Sequence, residues 1–227
     1  MSVKVLYLGH SAFQLTGSKG KLLIDPYLTD NPRAAIKAKD VEANVIVVTH
    51  GHGDHLGDAI DIAKRTGATI FATFELANYC QSKGAKVMDG HLGGTYHSPL
   101  GKIKLFPAFH SSSIDGQLIG MPSSVVVSMD GKHIYHAGDT ALFGDMSLIA
   151  EQYDLDAALL PIGGHYTMDI DDAVRAEEFL RAKNVVPMHY KTWESIEVDP
   201  KDFEQKIAKQ GIGRPVLLKP GESFELD

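Results

Sequence analysis

The chain has 227 residues, of which 29 are acidic and 22 basic, giving a formal net charge of −7, and 44% are hydrophobic. That length supports a sizeable core, the charge offers no electrostatic footprint for nucleic acid, and no apolar run approaches the roughly 20 residues of a membrane span. With one cysteine, Cys80, no internal disulfide can form, which fits a reducing cytoplasm, and the first residues show no apolar signal-peptide core.

In chain order, alternating hydrophobicity predicts strands over residues 3–8, 12–15 and 21–24, followed by an irregular and partly helical excursion over 26–40. The apolar run 44–48 reads as a buried strand. Residues 56–66 read as a helix, with Leu56, Ala59, Ile60 and Ala63 on one face and Gly67 as its stop. A strand over 69–72, a helix over 74–83 and a strand over 86–88 come next; Cys80, inside that helix, reads as a small buried hydrophobe. From 91 to 135 the pattern is one of hairpins, the last of them pairing 124–129 with 132–135 about Asp130-Gly131. Then follow a helix over 146–152, a strand over 157–160, a helix over 169–182 capped by Asp169, and a strand over 184–188. Residues 20–25 faintly echo 131–136, each a hairpin arm that ends in a polar side chain.

The densest chemistry lies at Thr49-His50-Gly51-His52-Gly53-Asp54-His55, directly after the strand over 44–48. Three imidazoles and a carboxylate within six residues, spaced by glycine, are a metal-binding pattern rather than an ordinary polar loop. His50 and His52 can converge on one cation while Asp54 and His55 reach a second. Nitrogen and oxygen donors without thiolate suit zinc, manganese, iron or nickel. Further donors stand where other apolar strands end: His110 before Ser111-Ser112-Ser113, Asp139 in His136-Ala137-Gly138-Asp139-Thr140, and His189 after 184–188.

This ordered set, His-x-His-x-Asp-His, a later His, an Asp in Gly-Asp-Thr and a final His, resembles the metal ligands of the metallo-β-lactamase superfamily. The segments Leu8-Gly9-His10-Ser11-Ala12-Phe13, Leu23-Ile24-Asp25-Pro26, Pro107-Ala108-Phe109-His110-Ser111 and Pro187-Met188-His189-Tyr190 are closest to small bacterial and archaeal metal-dependent hydrolases related to ascorbate-6-phosphate lactonase. The resemblance runs from Val3 to about Trp193. It implies a four-layer αββα sandwich forming a single domain over residues 1–227, with the metals at one edge. It also implies one metal on His50, His52 and His110, a second on Asp54, His55 and His189, and Asp139 bridging them. No cysteine stands among these ligands and His52 is not Glu, which disfavours antibiotic hydrolysis and oxygen reduction.

The activity implied is hydrolysis of a small-molecule ester, lactone or phosphoester by a hydroxide shared between two divalent cations. Asp139 draws the cations together, and Asp54 ligates or orients the hydroxide. His165, at the Gly-rich turn 161–167, is the candidate partner for an oxyanion or leaving group. Asp25 is expected to orient a ligating histidine, while His10 and His136 read as cavity wall or supporting hydrogen bonds. His91, His97 and His133 read as structural or surface residues. A nuclease and a non-catalytic metal-binding protein are the alternatives, and a homo-oligomer is compatible with the sequence.

Overall fold

The computed structural model describes residues 1–227. Three strands open the chain, β1 (Val3–Gly9), β2 (Ala12–Gly17) and β3 (Gly20–Ile24). An excursion that is irregular except for a 3₁₀ turn at Ala38–Asp40 leads to β4 (Val45–Val47). Then come α1 (Gly53–Leu56), α2 (Ala59–Thr66), β5 (Thr69–Thr73), α3 (Phe74–Ser82) and β6 (Lys86–Gly90). The chain continues through β7 (Thr95–Ser98), β8 (Gly101–Pro107), a small hairpin of β9 (Ser113–Ile114) and β10 (Gln117–Leu118), β11 (Ser123–Met129) and β12 (Lys132–His136). It ends with α4 (Ser147–Gln152), β13 (Ala157–Pro161), α5 (Ile170–Leu180), β14 (Asn184–Met188), α6 (Pro200–Gln210), β15 (Arg214–Pro215) and β16 (Ser223–Leu226).

Two seven-stranded sheets result, ordered β16-β1-β2-β3-β4-β5-β6 and β15-β14-β13-β12-β11-β8-β7. Strand polarity divides the core. In β4, Val45 and Val47 join the cluster between the sheets, whereas Ile46 and the following Val48 join the cluster under α1–α3, as side chains alternate across a strand. On the far side, Ala173, Ala176 and Leu180 of α5, with Phe203 and Ile207 of α6, cover the second sheet. This is the αββα arrangement. No helix is long and apolar enough to cross a membrane.

The helix expected over 56–66 is broken. Asp54 and His55 already lie on α1, and Gly57 at φ +40° separates it from α2. A Cβ at Gly57 would sit 2.5 Å from the Pro26 carbonyl, so the chain turns there to pack against Pro26–Tyr27. Asp58 then accepts the amides of Leu28 and Thr29, anchoring the excursion. The helix over 169–182 is found as Ile170–Leu180, with Asp169 accepting the Asp172 amide at 2.9 Å.

The sequence reading assigns no element after residue 188. There Asp199 caps α6, Pro200 fills its first position and Gly211 closes it at φ +73°, an asymmetry typical of helix ends. After it, β16 returns to pair antiparallel with β1.

Candidate metal centre

Every donor of interest sits where a strand ends, on one edge of the sandwich. The β1–β2 turn carries His10, the end of β3 Asp25, and the segment after β4 His50, His52 and then α1 with Asp54 and His55. His110 follows β8, Asp139 follows β12 and His189 follows β14. His10, Asp25 and His189 all have positive φ, between 45° and 57°. Backbone held in this sparsely populated region collects where side-chain placement outweighs local comfort. The His189 amide donates to the His10 carbonyl at 2.9 Å and ties the two sheets together at that point. Gly138, at φ +59°, brings Asp139 in against the β4 segment; a Cβ there would lie 2.8 Å from the Ser123 carbonyl and 3.1 Å from Thr49 Cβ.

The donors form two groups that share a carboxylate. His50, His52 and His110 offer nitrogens within 4.8 Å of one another, and His10, Asp54, His55 and His189 make a second such group. His50 Nε2 and His52 Nδ1 are 3.0 Å apart, a separation that neighbouring imidazoles adopt around one ion with bonds of about 2.0–2.1 Å. Asp139 Oδ2 lies 3.5 Å from His110 Nε2, 4.0 Å from His50 Nε2 and 3.1 Å from His189 Nε2, while Oδ1 lies 3.1 Å from His55 Nε2. Asp54 Oδ2 is 3.5 Å from His189 Nε2 and 3.7 Å from His55 Nε2.

The supports behind these groups fix the tautomers. Asp25 is fully buried; it accepts His55 Nδ1–H at 2.7 Å, the Thr49 hydroxyl at 2.7 Å and the Thr49 amide at 2.8 Å. Thr49 Oγ1 in turn receives His50 Nδ1–H at 3.0 Å. Both imidazoles therefore point Nε2 lone pairs inward. His10 donates from Nε2 to Asp54 at 3.0 Å and accepts the Thr192 hydroxyl at Nδ1, 2.7 Å away. This neutral role agrees with a pKa lowered to about 4 by burial and then by His189. His136 holds the Asp139 loop: its Nε2–H donates to the Ser11 carbonyl and its Nδ1 accepts the Gly138 amide.

Charge is concentrated here. Burial alone would pull His55 and His189 down, yet Asp139, followed by other carboxylates, holds His55 well above its usual range and pushes His189 up to about 9. Asp139 itself stays well below the carboxylate range: burial would raise it, and the neighbouring His189 and His55 outweigh that. Even so, His55 Nε2, His189 Nε2 and Asp139 Oδ1 are buried without a hydrogen-bond partner, although they stand at ion-pair distances, and His189 Nδ1 is buried and unpartnered as well. Buried polar atoms are normally satisfied. Lone pairs that crowd together without bonding one another fit divalent cations, whose binding releases protons from the imidazoles.

The cluster floors an open cavity of about 930 Å³ whose walls include Tyr27, Asp30, Ser111, Tyr166 and Trp193. His165 is not brought into it. Gly163 packs against the His189 carbonyl, Gly164 turns the chain at φ +80°, and the His165 ring is exposed, stacked edge-on against Tyr166, which lines the cavity instead. Thr49, Thr192 and the aromatic walls were missed by sequence reasoning; Trp193, the single tryptophan and 37% exposed, was the one available signal. Cys80 is buried in α3, far from the ligands in sequence, with its thiol pushed up to about 11 by burial. His91 and His97 are exposed and His133 half-buried. A second groove of about 1020 Å³, between residues 28–40 and α2, shares no residue with the cluster. Its Asp58 and Arg65 are already engaged by backbone groups.

Residues 21–190 match the model of the β-lactamase superfamily domain. The chain is 51% identical over 226 residues to a UPF0173 metal-dependent hydrolase of Thermus thermophilus, covering 99% of this chain and 100% of that one. It is 49% identical over 227 residues to another from Thermococcus kodakarensis, with the same coverage. Among solved structures, the metallo hydrolase Igni18 of Ignicoccus hospitalis superimposes with a TM-score of 0.93 at 40% identity, over 100% of this chain and 99% of that one. With its His/Asp cluster at the sandwich edge, this chain is a metal-dependent hydrolase and belongs to the metallo-β-lactamase superfamily.

Proposed function

We propose that the cluster holds two divalent cations and that the enzyme hydrolyses a small-molecule ester, lactone or phosphoester. His50, His52 and His110 would hold one cation, Asp54, His55 and His189 the other, with Asp139 shared. Zinc, manganese, iron and nickel all suit these donors. When bound, such a pair supplies hydroxide near neutral pH and polarises the oxygen of the bond under attack. The observation that carries the reading is the set of buried, unpartnered donor atoms on His55, His189 and Asp139.

The chain's own groups position the rest. Asp25 orients His55 directly through Nδ1 and His50 through Thr49, so that Nε2 of each faces the cluster. Every close contact of Asp54 within the cluster is through Oδ2; Oδ1 is left to accept a proton from water at the cavity floor. His10 holds Asp54 in that orientation. The net charge of −7 argues against a nuclease, and the lone buried thiol suits the cytoplasm.

Elemental analysis of protein purified without chelator should give about two equivalents of divalent metal. His52→Ala and His189→Ala should each lose one. Asp139→Ala should abolish turnover of a metal-dependent ester or phosphoester substrate while circular dichroism is unchanged. Metal content that never exceeds one equivalent overturns the dinuclear reading, and wild-type turnover in Asp139→Ala overturns the mechanism.

A further inference from the structure

Resting on the hydrolase reading, the geometry points to a specificity-determining wall, which we propose selects esters or lactones whose non-reacting end is a flat, uncharged or cationic group. No lysine or arginine stands among the cavity-lining residues. Substrates with an anionic tail are normally gripped by guanidinium or ammonium groups. Here an anion can be received only where the cations sit, at the reacting bond. Beyond it, the carboxylate on the rim is Asp30, whose exposed charge repels a second negative one.

What the cavity offers a distal group is aromatic surface. The Trp193 and Tyr27 rings lie 6.3 Å apart, tilted by 39°. Both are fixed: the Tyr27 hydroxyl donates to the Asp30 carbonyl at 2.8 Å, and Trp193 meets the buried His10 ring edge-on at 5.0 Å. Each keeps part of its surface open to the cavity, as does Tyr166. Ring faces are electron-rich, so they take flat apolar groups by stacking and cations by charge–quadrupole attraction. They give nothing to a carboxylate or phosphate. His10 couples this wall to the reacting edge, because the ring that backs Trp193 is the one that holds Asp54.

The test uses metal-loaded enzyme and three acetate esters that carry a neutral, an anionic and a cationic distal end: phenyl acetate, 3-acetoxybenzoate and 3-acetoxy-N,N,N-trimethylanilinium. In each, the acyl C–O bond breaks, water oxygen joins the acyl carbon and a proton goes to the leaving phenol. Each kcat/KM is divided by the ester's own rate with hydroxide, which removes leaving-group differences. The neutral and cationic esters should exceed the anionic one by about tenfold or more. Trp193→Ala should collapse that preference through KM, Trp193→Phe should retain most of it, and Asp30→Asn should raise the anionic ester relative to the others. Equal or anion-favouring ratios with metal-dependent turnover overturn the wall while leaving the hydrolase reading intact. No metal-dependent turnover of any ester counts against ester hydrolysis itself. The wall is then decided by fluorescence of the single tryptophan, Trp193: quenching by both benzyl alcohol and phenyltrimethylammonium supports it, and quenching by neither refutes it.

Discussion

Replacing Asp25 by Asn keeps the side-chain shape and removes one charge, and the structure says what must then fail. Three donors converge on this carboxylate: His55 Nδ1–H, the Thr49 hydroxyl and the Thr49 amide. An Asn can orient in two ways. With its oxygen toward His55, its amide faces the Thr49 N–H 2.8 Å away, donor against donor, and a buried N–H loses its acceptor at about 1–3 kcal/mol. With its amide toward His55, it donates to Nδ1 and drives the imidazole proton onto Nε2, the atom that would ligate. Either way His55 becomes a poorer ligand. Removing such a support typically weakens metal binding by about 10- to 100-fold, or about 1.4–2.7 kcal/mol. Competition against a fluorescent chelator resolves two loading steps, and the step that His189→Ala removes should carry most of the loss in Asp25→Asn. The step that His52→Ala removes should move less, since His50 touches Asp25 only through Thr49. Both affinities within about twofold of wild type, with the fold intact, would refute the reasoning.

Glu177 on α5 predicts a stability change away from the site. It is fully buried, its carboxylate has no hydrogen-bond partner, and burial pushes its pKa from 4.5 to about 8; the nearby Ala182 amide offsets only part of this. Between pH 4.5 and 8 the folded chain keeps a proton that the unfolded chain has lost. Stability therefore falls as pH rises through that window, by an amount on the order of a few kcal/mol. Glu177→Gln should leave the melting temperature nearly unchanged at pH 5 and raise it at pH 9 by roughly 2–4 °C per kcal/mol recovered; an equal shift at both pH values would count against a buried neutral carboxyl. His165→Ala should retain both metals and stay within about twofold of wild-type kcat, the loss that a direct oxyanion donor would cause being about 100-fold. Tyr166→Ala should instead raise KM with kcat little changed, and steady-state kinetics on the two variants together separates wall from catalyst.

The ligand loop was legible because its information is local: four donor side chains within six residues, directly after an apolar run. His110, Asp139 and His189 could be read because each follows a strand whose pattern is clear, and Asp25 because a lone acid ends the strand over 21–24. What escaped depends on distant partners. Thr49 and Thr192 look ordinary until Asp25, 24 residues away, and His10, 182 residues away, come alongside them. The α1 break was hidden because Gly57 is dictated by the Pro26 carbonyl, a contact from another segment. His165 misled because a Gly-rich turn after a buried strand marks an approach to the edge without saying which side chain faces inward; here it is Tyr166. In β16, whose residues are largely exposed or half-buried, short length and weak alternation leave little for a sequence pattern to show.

The faint echo between residues 20–25 and 131–136 is part of a larger repetition that explains where the chemistry sits. In each sheet the first four strands pair antiparallel and the last three join in parallel, β16-β1-β2-β3 then β4-β5-β6, and β7-β8-β11-β12 then β13-β14-β15. The switch to parallel pairing falls after β3 and after β12. Parallel neighbours must send their chains out at the same end, so both sheets deliver their strand-end loops to a shared edge. Asp25 and His136 occupy the echoed position in the two halves, and both support ligand loops. The halves have otherwise divided the work. The segment after β4 carries four donors, while the corresponding segment after β13 forms a cavity wall with Tyr166. Each donor group nevertheless draws on both sheets: His110 closes the group of His50 and His52, His189 closes the group of Asp54 and His55, and Asp139 comes from the second sheet to meet both. A cation in either group would thus be held by both sheets, and one shared between two packed surfaces stabilises their docking as well as the reaction.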